Sequence, residues 1–180
     1  IKGDSITGAI IQGKNNPWPV TLARYSKLPF DKPGRPQEPS RPLPYFEEKI
    51  TYENKSAGVN LSGTFTRPPA EGKYPAVILI SGSGPNDRDE SIFGHKIFLV
   101  LSDQLTRAGF AVLRVDDRGV GESTGNFSSA TVTDLASDVI AGVEYLKTRP
   151  DVSRKKIGLL GHSLGGEIAP VAASTSRDVA

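Results

Sequence analysis

Three short apolar runs, separated by helical patterns, limit the folds open to this chain of 180 residues. The runs cover residues 74–80, 111–115 and 157–160. An uninterrupted apolar run bounded by glycine or turn residues is typical of a strand that is covered on both faces. Apolar residues spaced by three and four lie between the runs, and Pro150 ends the second helical stretch. The order β-α-β-α-β therefore predicts a parallel sheet with helices on both faces.

The flanking patterns extend this α/β prediction. Residues 46–52 and 59–65 alternate between apolar and polar, which predicts two half-buried strands of antiparallel type before the first apolar run. Another helix is predicted to begin after residue 160. The apolar faces expected on the three helices are Ile97, Phe98, Leu101, Leu105 and Ala108; then Val132, Leu135, Ala136, Val139, Ile140, Val143 and Leu146; and finally Leu164, Ile168 and Ala172, with a kink expected at Pro170.

The chain divides into three predicted parts. Residues 1–28 read as a β hairpin that remains from an N-terminal β domain, in which Trp18 either fills the core or lines a groove. Residues 29–45 hold six prolines and form either an extended linker or a polyproline segment that binds a partner. Residues 46–180 are the N-terminal half of the α/β domain.

Composition excludes several classes of protein. The formal net charge of +2 gives no strong field for nucleic acid or an anionic membrane. The absence of cysteine excludes disulfides, thiolate zinc sites and cysteine nucleophiles. No apolar run reaches the roughly 20 residues that a membrane-spanning helix needs. The chain begins at Ile1 and lacks methionine, so we interpret it as a truncated or processed piece of a longer product.

A G-x-S-x-G motif follows the last apolar run, with Ser163 at its centre and Gly161 and Gly165 at its ends. Between a strand and a helix, this motif forms the sharp turn that exposes a nucleophilic serine above the sheet. The two glycines allow the backbone to pack closely around that turn. We therefore predict Ser163 as a catalytic nucleophile. The alternative is a serine that caps a helix.

The loop after the first apolar run is rich in glycine and serine over residues 81–85. Acyl transfer needs two backbone N–H groups aimed at the developing oxyanion. The candidates are the amides of Ser83 and Leu164, with Gly82 allowing close approach to the backbone. A dinucleotide-binding loop is the competing interpretation, but the third glycine of that pattern is replaced by Asp87. A flexible turn without a binding role is the third interpretation.

Carboxylates cluster near this loop, and they raise the question of a metal site. The cluster comprises Asp87, Asp89, Glu90, Asp116 and Asp117. Its spacing matches no common ligand set and histidine support is poor, so we predict neither metal nor cofactor. We expect Arg118 to tie the carboxylates together and, with Asp117, to brace the oxyanion loop.

The two histidines leave the catalytic set incomplete. His162 is adjacent to Ser163, so its side chain should diverge from the serine. We interpret it as packing or hydrogen bonding beside the turn, not as the base. His95 precedes the serine, and we interpret it as a loop or surface residue. No histidine follows Ser163 in the sequence.

Three motifs in this order resemble the α/β-hydrolase superfamily: residues 81–84, 117–123 and 161–166. With the N-terminal β segment and the proline-rich link, the chain is similar to bacterial carboxylesterases of the serine aminopeptidase-like branch. The resemblance implies a partial α/β-hydrolase sheet, Ser163 as nucleophile, and Ser83 and Leu164 as oxyanion donors. It also implies an aspartate and a histidine after later strands, beyond Ala180, and an extracytoplasmic bacterial location.

The expected function is carboxylic ester hydrolysis through an acyl-enzyme on Ser163, with a small ester or acyl compound as substrate. Peptidase and thioesterase activity remain open, as does a non-catalytic module, since the histidine and acid are missing. We expect the 180-residue chain alone to be inactive. The truncated sheet also predicts pairing with a missing C-terminal half or self-association.

Overall fold

The structure, a computed structural model, describes residues 4–10, 17–23 and 35–180. It contains two compact units, Ile1–Gly34 and Arg35–Ala180. Most of the turn of the predicted hairpin, the Trp18 side chain and the first two prolines of the linker, Pro29 and Pro33, lie outside the described part.

The N-terminal unit contains the predicted strand pair. Strands β1 (Ser5–Ile10) and β2 (Trp18–Ala23) pair antiparallel, with Ser5 opposite Ala23. The described side chains of β1 are exposed.

The second unit is built on a five-stranded mixed sheet. Its strands are β3 (Phe46–Asn54), β4 (Val59–Arg67), β5 (Tyr74–Ile80), β8 (Ala111–Val115) and β9 (Val152–Gly161), in the spatial order β3-β4-β8-β5-β9. β3, β4 and β8 pair antiparallel, whereas β8, β5 and β9 run parallel. The predicted α/β class and the order of two antiparallel strands followed by β-α-β-α-β are confirmed.

Helices cover both faces of this sheet. α1 (Ile97–Arg107) packs on one face, against Leu79 and Val112, while α2 (Val132–Thr148) and α3 (Gly165–Thr175) pack on the other. α2 begins with a capping box, in which the Thr131 hydroxyl accepts from the Asp134 amide and the Asp134 carboxylate accepts from the Thr131 amide. α3 runs to Thr175 with Pro170 inside it.

The predicted apolar face of α1 is confirmed at Phe98, Leu101 and Leu105, which pack in the cluster of Leu79 and Val112. Its two ends differ, because Ile97 and Ala108 are exposed. The buried face also includes Ser102, Asp103 and Thr106, which the prediction left out. The reason is a polar contact with β4, where the Thr66 hydroxyl is 2.7 Å from that of Thr106 and 3.2 Å from that of Ser102. Buried hydroxyls that pair with one another lie in the core at little cost.

A small hairpin that we did not predict precedes α1. Strands β6 (Ser91–Ile92) and β7 (His95–Lys96) pair antiparallel around a two-residue turn. Both turn residues have positive φ, 50° at Phe93 and 77° at Gly94, as a type I′ turn requires. His95 is exposed in this hairpin, in agreement with its interpretation as a surface residue.

Candidate active site

The glycine loop at residues 81–85 and the turn at Ser163 meet because the strands that precede them, β5 and β9, are neighbours in register. Ile80, the last residue of β5, pairs with Gly161, the last residue of β9. The His162 amide also donates to the Ile80 carbonyl at 3.0 Å. Both chains therefore leave the carboxyl edge of the sheet side by side, where α/β folds place their sites.

The turn after β9 is tight and holds Ser163 at a φ of 51°. Such a φ is rare for a non-glycine residue and stores strain. A Cβ atom on Gly161 would lie 2.0 Å from the Gly165 carbonyl oxygen, and one on Gly165 would lie 2.1 Å from the Ile80 carbonyl oxygen. Only glycine fits at these two positions. The Ser163 side chain is exposed, and its hydroxyl makes no hydrogen bond to residues 4–10, 17–23 or 35–180.

The glycine loop after β5 contacts this turn. A Cβ atom on Gly82 would lie 3.2 Å from the Ser163 Cβ atom. Ser83, the next residue, is exposed, and Leu164 is half-buried at the start of α3. Neither the Ser83 amide nor the Leu164 amide donates a hydrogen bond to any described residue. One of these amides follows Ser163 directly in the chain, and the other follows the glycine that contacts the Ser163 turn.

Asp117 anchors the glycine loop, residues 81–85, and the residue that follows it through two hydrogen bonds. Its two carboxylate oxygens accept from the Ser81 hydroxyl at 2.8 Å and from the Asn86 amide at 2.9 Å. The Asn86 side chain in turn donates to the carbonyls of Gly82 and Gly84, at 3.1 and 2.8 Å. Burial raises the pKa of Asp117 to about 6, although these hydrogen bonds oppose the shift.

Arg118 has a different role from the one we predicted. Its Nε and Nη2 atoms donate to the Asp138 carboxylate of α2 at 2.7 and 2.8 Å, and Nη2 also reaches the Asp134 carbonyl. The Asn54 side chain adds a donor to Asp138 at 2.7 Å. Arg118 therefore fixes α2 against the sheet and makes no hydrogen bond to the loop at residues 81–85.

Arg88 is the arginine that connects the loop after β5 to the sheet by hydrogen bonds. Its backbone amide and its Nε atom both donate to one oxygen of Asp116, at 2.7 and 3.0 Å. Nη1 reaches the Gly63 carbonyl at 2.8 Å. Burial works to raise the pKa of Asp116, but the bonds and charge of Arg88 outweigh it and hold that pKa below its usual value.

The remaining carboxylates of the loop contact cations and backbone amides. Asp89 pairs with Arg114 and lies 3.8 Å from Lys96. Asp87 accepts from the amides of Asp89 and Ser91, both at 3.1 Å. Among the described residues, no group of three or more His, Asp or Glu side chains has an arrangement that could hold a metal ion.

Sequence reasoning missed the contact between Glu90 and His162. One oxygen of Glu90 lies 2.7 Å from His162 Nδ1 and accepts from the Gly82 amide at 2.8 Å. Glu90 is 0% exposed, whereas the His162 side chain is 48% exposed. No periodicity or spacing signal connects residues that lie 72 positions apart.

In the part of the chain that the structure describes, no helix combines the length and the apolar character that crossing a bilayer requires.

Known proteins resemble the chain along most of its length. The family described as Hydrolase_4, serine aminopeptidase S33, matches residues 96–179. The esterase EstD of Thermotoga maritima is 38% identical over 136 residues, which are 75% of this chain and 32% of that esterase.

Solved structures agree with this similarity. The α/β hydrolase GrgF of a Penicillium species has a TM-score of 0.61 at 27% identity, over 77% of this chain and 44% of its own. Est1E of Butyrivibrio proteoclasticus, solved with bound ferulic acid, has a TM-score of 0.60 at 27% identity, over 72% of this chain and 49% of its own. The chain thus spans only about a third to a half of the length of these relatives. Because both its sheet and its sequence match these hydrolases, the chain belongs to the α/β-hydrolase superfamily.

Proposed function

We propose that the protein containing this chain is a serine hydrolase that cleaves carboxylic esters through an acyl-enzyme on Ser163. The observation that carries the proposal is the contact between the Ser163 turn and the loop at residues 81–84. It combines an exposed hydroxyl, held at a strained φ of 51°, with neighbouring amides that have no other acceptor among the described residues. An acyl-transfer site needs these two components next to each other.

The proposed hydrolysis has two steps, acylation of Ser163 and hydrolysis of the acyl-enzyme. The Ser163 oxygen attacks the ester carbonyl carbon and loses its proton to a base, while the carbonyl electrons move onto oxygen. The Ser83 and Leu164 amides hold that oxyanion, and the helix dipole of α3 adds a favourable field. Collapse of the intermediate expels the alcohol, which takes up the proton. Water then attacks the acyl-enzyme in the same way and releases the carboxylic acid.

The base and its acid are proposed to come from residues outside these 180. Neither histidine donates to or accepts from the Ser163 hydroxyl, because His162 contacts Glu90 and His95 lies in the β6–β7 hairpin. In α/β-hydrolases the acid and the histidine follow the nucleophile in the chain. The greater length of EstD leaves room for such residues.

The names of the relatives favour an ester as substrate. EstD is named an esterase, and Est1E binds ferulic acid, an aromatic carboxylic acid. The matching family is described as serine aminopeptidase, so an amide substrate remains an alternative. Relative kcat/KM on matched ester, thioester and aminoacyl-amide substrates decides between the three.

The test of the proposal is nucleophile replacement in the full-length protein. Wild type is expected to hydrolyse p-nitrophenyl acetate and to be labelled once by a fluorophosphonate. Ser163→Ala should lose both, by at least about 10³-fold in kcat. Ser153→Ala, a serine at the far end of β9, is the matched control and should retain both. Hydrolysis that persists in Ser163→Ala means that another group carries the reaction.

A non-catalytic module is the second candidate. It is favoured because no described residue makes a hydrogen bond to the Ser163 hydroxyl. The 180-residue chain by itself should then hydrolyse p-nitrophenyl acetate no faster than a denatured control. If the full-length protein is equally inactive, the module explanation replaces the hydrolase. Fast Ser163-dependent turnover by the isolated chain would instead show that it contains its own base.

A further inference from the structure

Glu90 combines three locally unfavourable features beside the candidate site. It is 0% exposed, its φ is 49°, and its second carboxylate oxygen has no hydrogen-bond partner among the described residues. Burying a carboxylate and adopting a positive φ both cost free energy. A residue that is kept beside a site despite several unfavourable local features is expected to have a function there.

The contacts of Glu90 show what that function is. Oε1 accepts from the Gly82 amide at 2.8 Å and lies 2.7 Å from His162 Nδ1. Gly82 directly precedes Ser83, and His162 directly precedes Ser163. A single buried oxygen atom therefore connects the loop that contains one candidate oxyanion donor to the turn that contains the nucleophile.

This connection also determines which amides remain available. Because the Gly82 amide donates to Glu90, it is not available to an oxyanion. The next amide in the loop, that of Ser83, donates to no described residue. An oxyanion hole works only when both donors lie about 2.7–3.1 Å from the oxygen. A displacement of about 1 Å between loop and turn costs on the order of 10² in rate.

We propose that Glu90 is a positioning residue, whose shared hydrogen bonds to Gly82 and His162 set the spacing between the Ser83 amide and the Ser163 turn. It does not touch the reacting atoms. The inference rests on the proposed hydrolase function, because the spacing matters only if an oxyanion forms there.

Steady-state kinetics of the full-length protein test the proposal. Glu90→Ala removes the connection and should lower kcat about 100-fold with KM changed less than about 3-fold, because ground-state binding does not need the oxyanion hole. Glu90→Gln keeps a carbonyl oxygen at the Oε1 position and should stay within about 5-fold of wild type. Glu144→Gln, an exposed carboxylate of α2, is the control and should leave both constants unchanged.

The His162→Ala variant gives a second, independent readout, since its side chain is half exposed and its loss should not unfold the protein. We expect kcat to fall about 10-fold, and the double variant with Glu90→Ala to be no slower than Glu90→Ala alone, because both remove the same connection. Additive losses would overturn the proposal.

Glu90→Ala could fail to fold, and His162→Ala then decides alone: kcat within 2-fold of wild type rejects the positioning role. Equal losses in Glu90→Gln and Glu90→Ala also reject it. These outcomes differ from failure of the proposed function, for which Ser163→Ala would remain active. A Ser163-dependent enzyme that is unaffected by Glu90→Ala overturns only the role of Glu90.

Discussion

Gly82 lies so close to Ser163 that a Cβ atom added to the glycine would be 3.2 Å from the serine Cβ. The two residues are 81 positions apart in the chain and follow different strands. They meet because β5 and β9 are parallel neighbours that end at the same register position. The glycine loop, the turn at Ser163 and the residues that fix both can therefore be tested by single substitutions.

Gly165→Ala should strongly disrupt the turn. The new methyl group would lie 2.1 Å from the Ile80 carbonyl oxygen and 2.9 Å from that of Ser81. The Ile80 backbone is held in the sheet by its pairing with Gly161. We expect a loss of at least about 3 kcal/mol in the free energy of unfolding, measured by urea denaturation.

Gly166→Ala is the matched control for that prediction. No atom lies within 4 Å of a Cβ at Gly166, and the residue is helical. Alanine there should be neutral or stabilising by up to about 1 kcal/mol. Equal destabilisation by the two variants would contradict the close contact at Gly165.

Ser163→Gly should relieve the strain of the turn at Ser163. Glycine adopts a φ of 51° freely, so the free energy of unfolding should stay equal or rise by up to about 1 kcal/mol, while the proposed hydrolysis should be lost. Ser174→Gly, at an exposed position inside α3, should instead destabilise by roughly 0.5–1 kcal/mol. A clear destabilisation by Ser163→Gly would argue against a strained turn.

Arg118→Ala should destabilise the fold strongly. The change leaves the Asp138 carboxylate buried without its charged partner, which typically costs about 3–5 kcal/mol. Glu144→Gln breaks an exposed ion pair of the same helix and should leave the thermal midpoint unchanged. Similar midpoints for both variants would show that Arg118 does not fix α2.

Asp117 should make stability depend on pH in the direction opposite to most carboxylates. Its pKa rises from 3.8 to about 6 on folding, so the folded protein holds a proton that the unfolded chain has lost between these values. The free energy of unfolding therefore falls as pH rises from about 4 to about 6, by at most about 3 kcal/mol.

Asp117→Asn isolates this effect, because asparagine does not titrate. Urea denaturation of both proteins at several pH values gives the difference between their free energies of unfolding. Wild type should lose stability relative to the variant across this range and reach a plateau above about pH 7. A difference that is flat, or that rises with pH, would show that the folded-state pKa of Asp117 is not raised.

The elements that follow from local patterns were predicted well. β5 and β8 have the predicted bounds, because a continuous apolar run ended by glycine or charged residues determines a buried strand locally. The strand–turn–helix around Ser163 was likewise predicted, since Gly161 and Gly165 specify a tight turn. The roles of Ser163, Ser83 and Leu164 in catalysis remain predictions.

The wrong predictions concern contacts between distant residues. The apolar stripe of α1 did not reveal that Thr66 draws Ser102 and Thr106 into the core. The sequence also gave no sign that Arg118 pairs with Asp138, or that Arg88 is the arginine that holds the loop. Charged side chains have many local partners of similar strength, so only the folded geometry selects one of them.

By itself, the sequence determined the order of the five sheet strands and the three helices, the sharp turn at Ser163 and the glycine loop after β5, because these depend on interactions within a few residues. Only the tertiary structure decided that Glu90 contacts both Gly82 and His162, and that the Ser83 and Leu164 amides have no acceptor among the residues that the structure describes. The physical reason is that strand register brings the two loops together, and burial then determines which donor each carboxylate accepts.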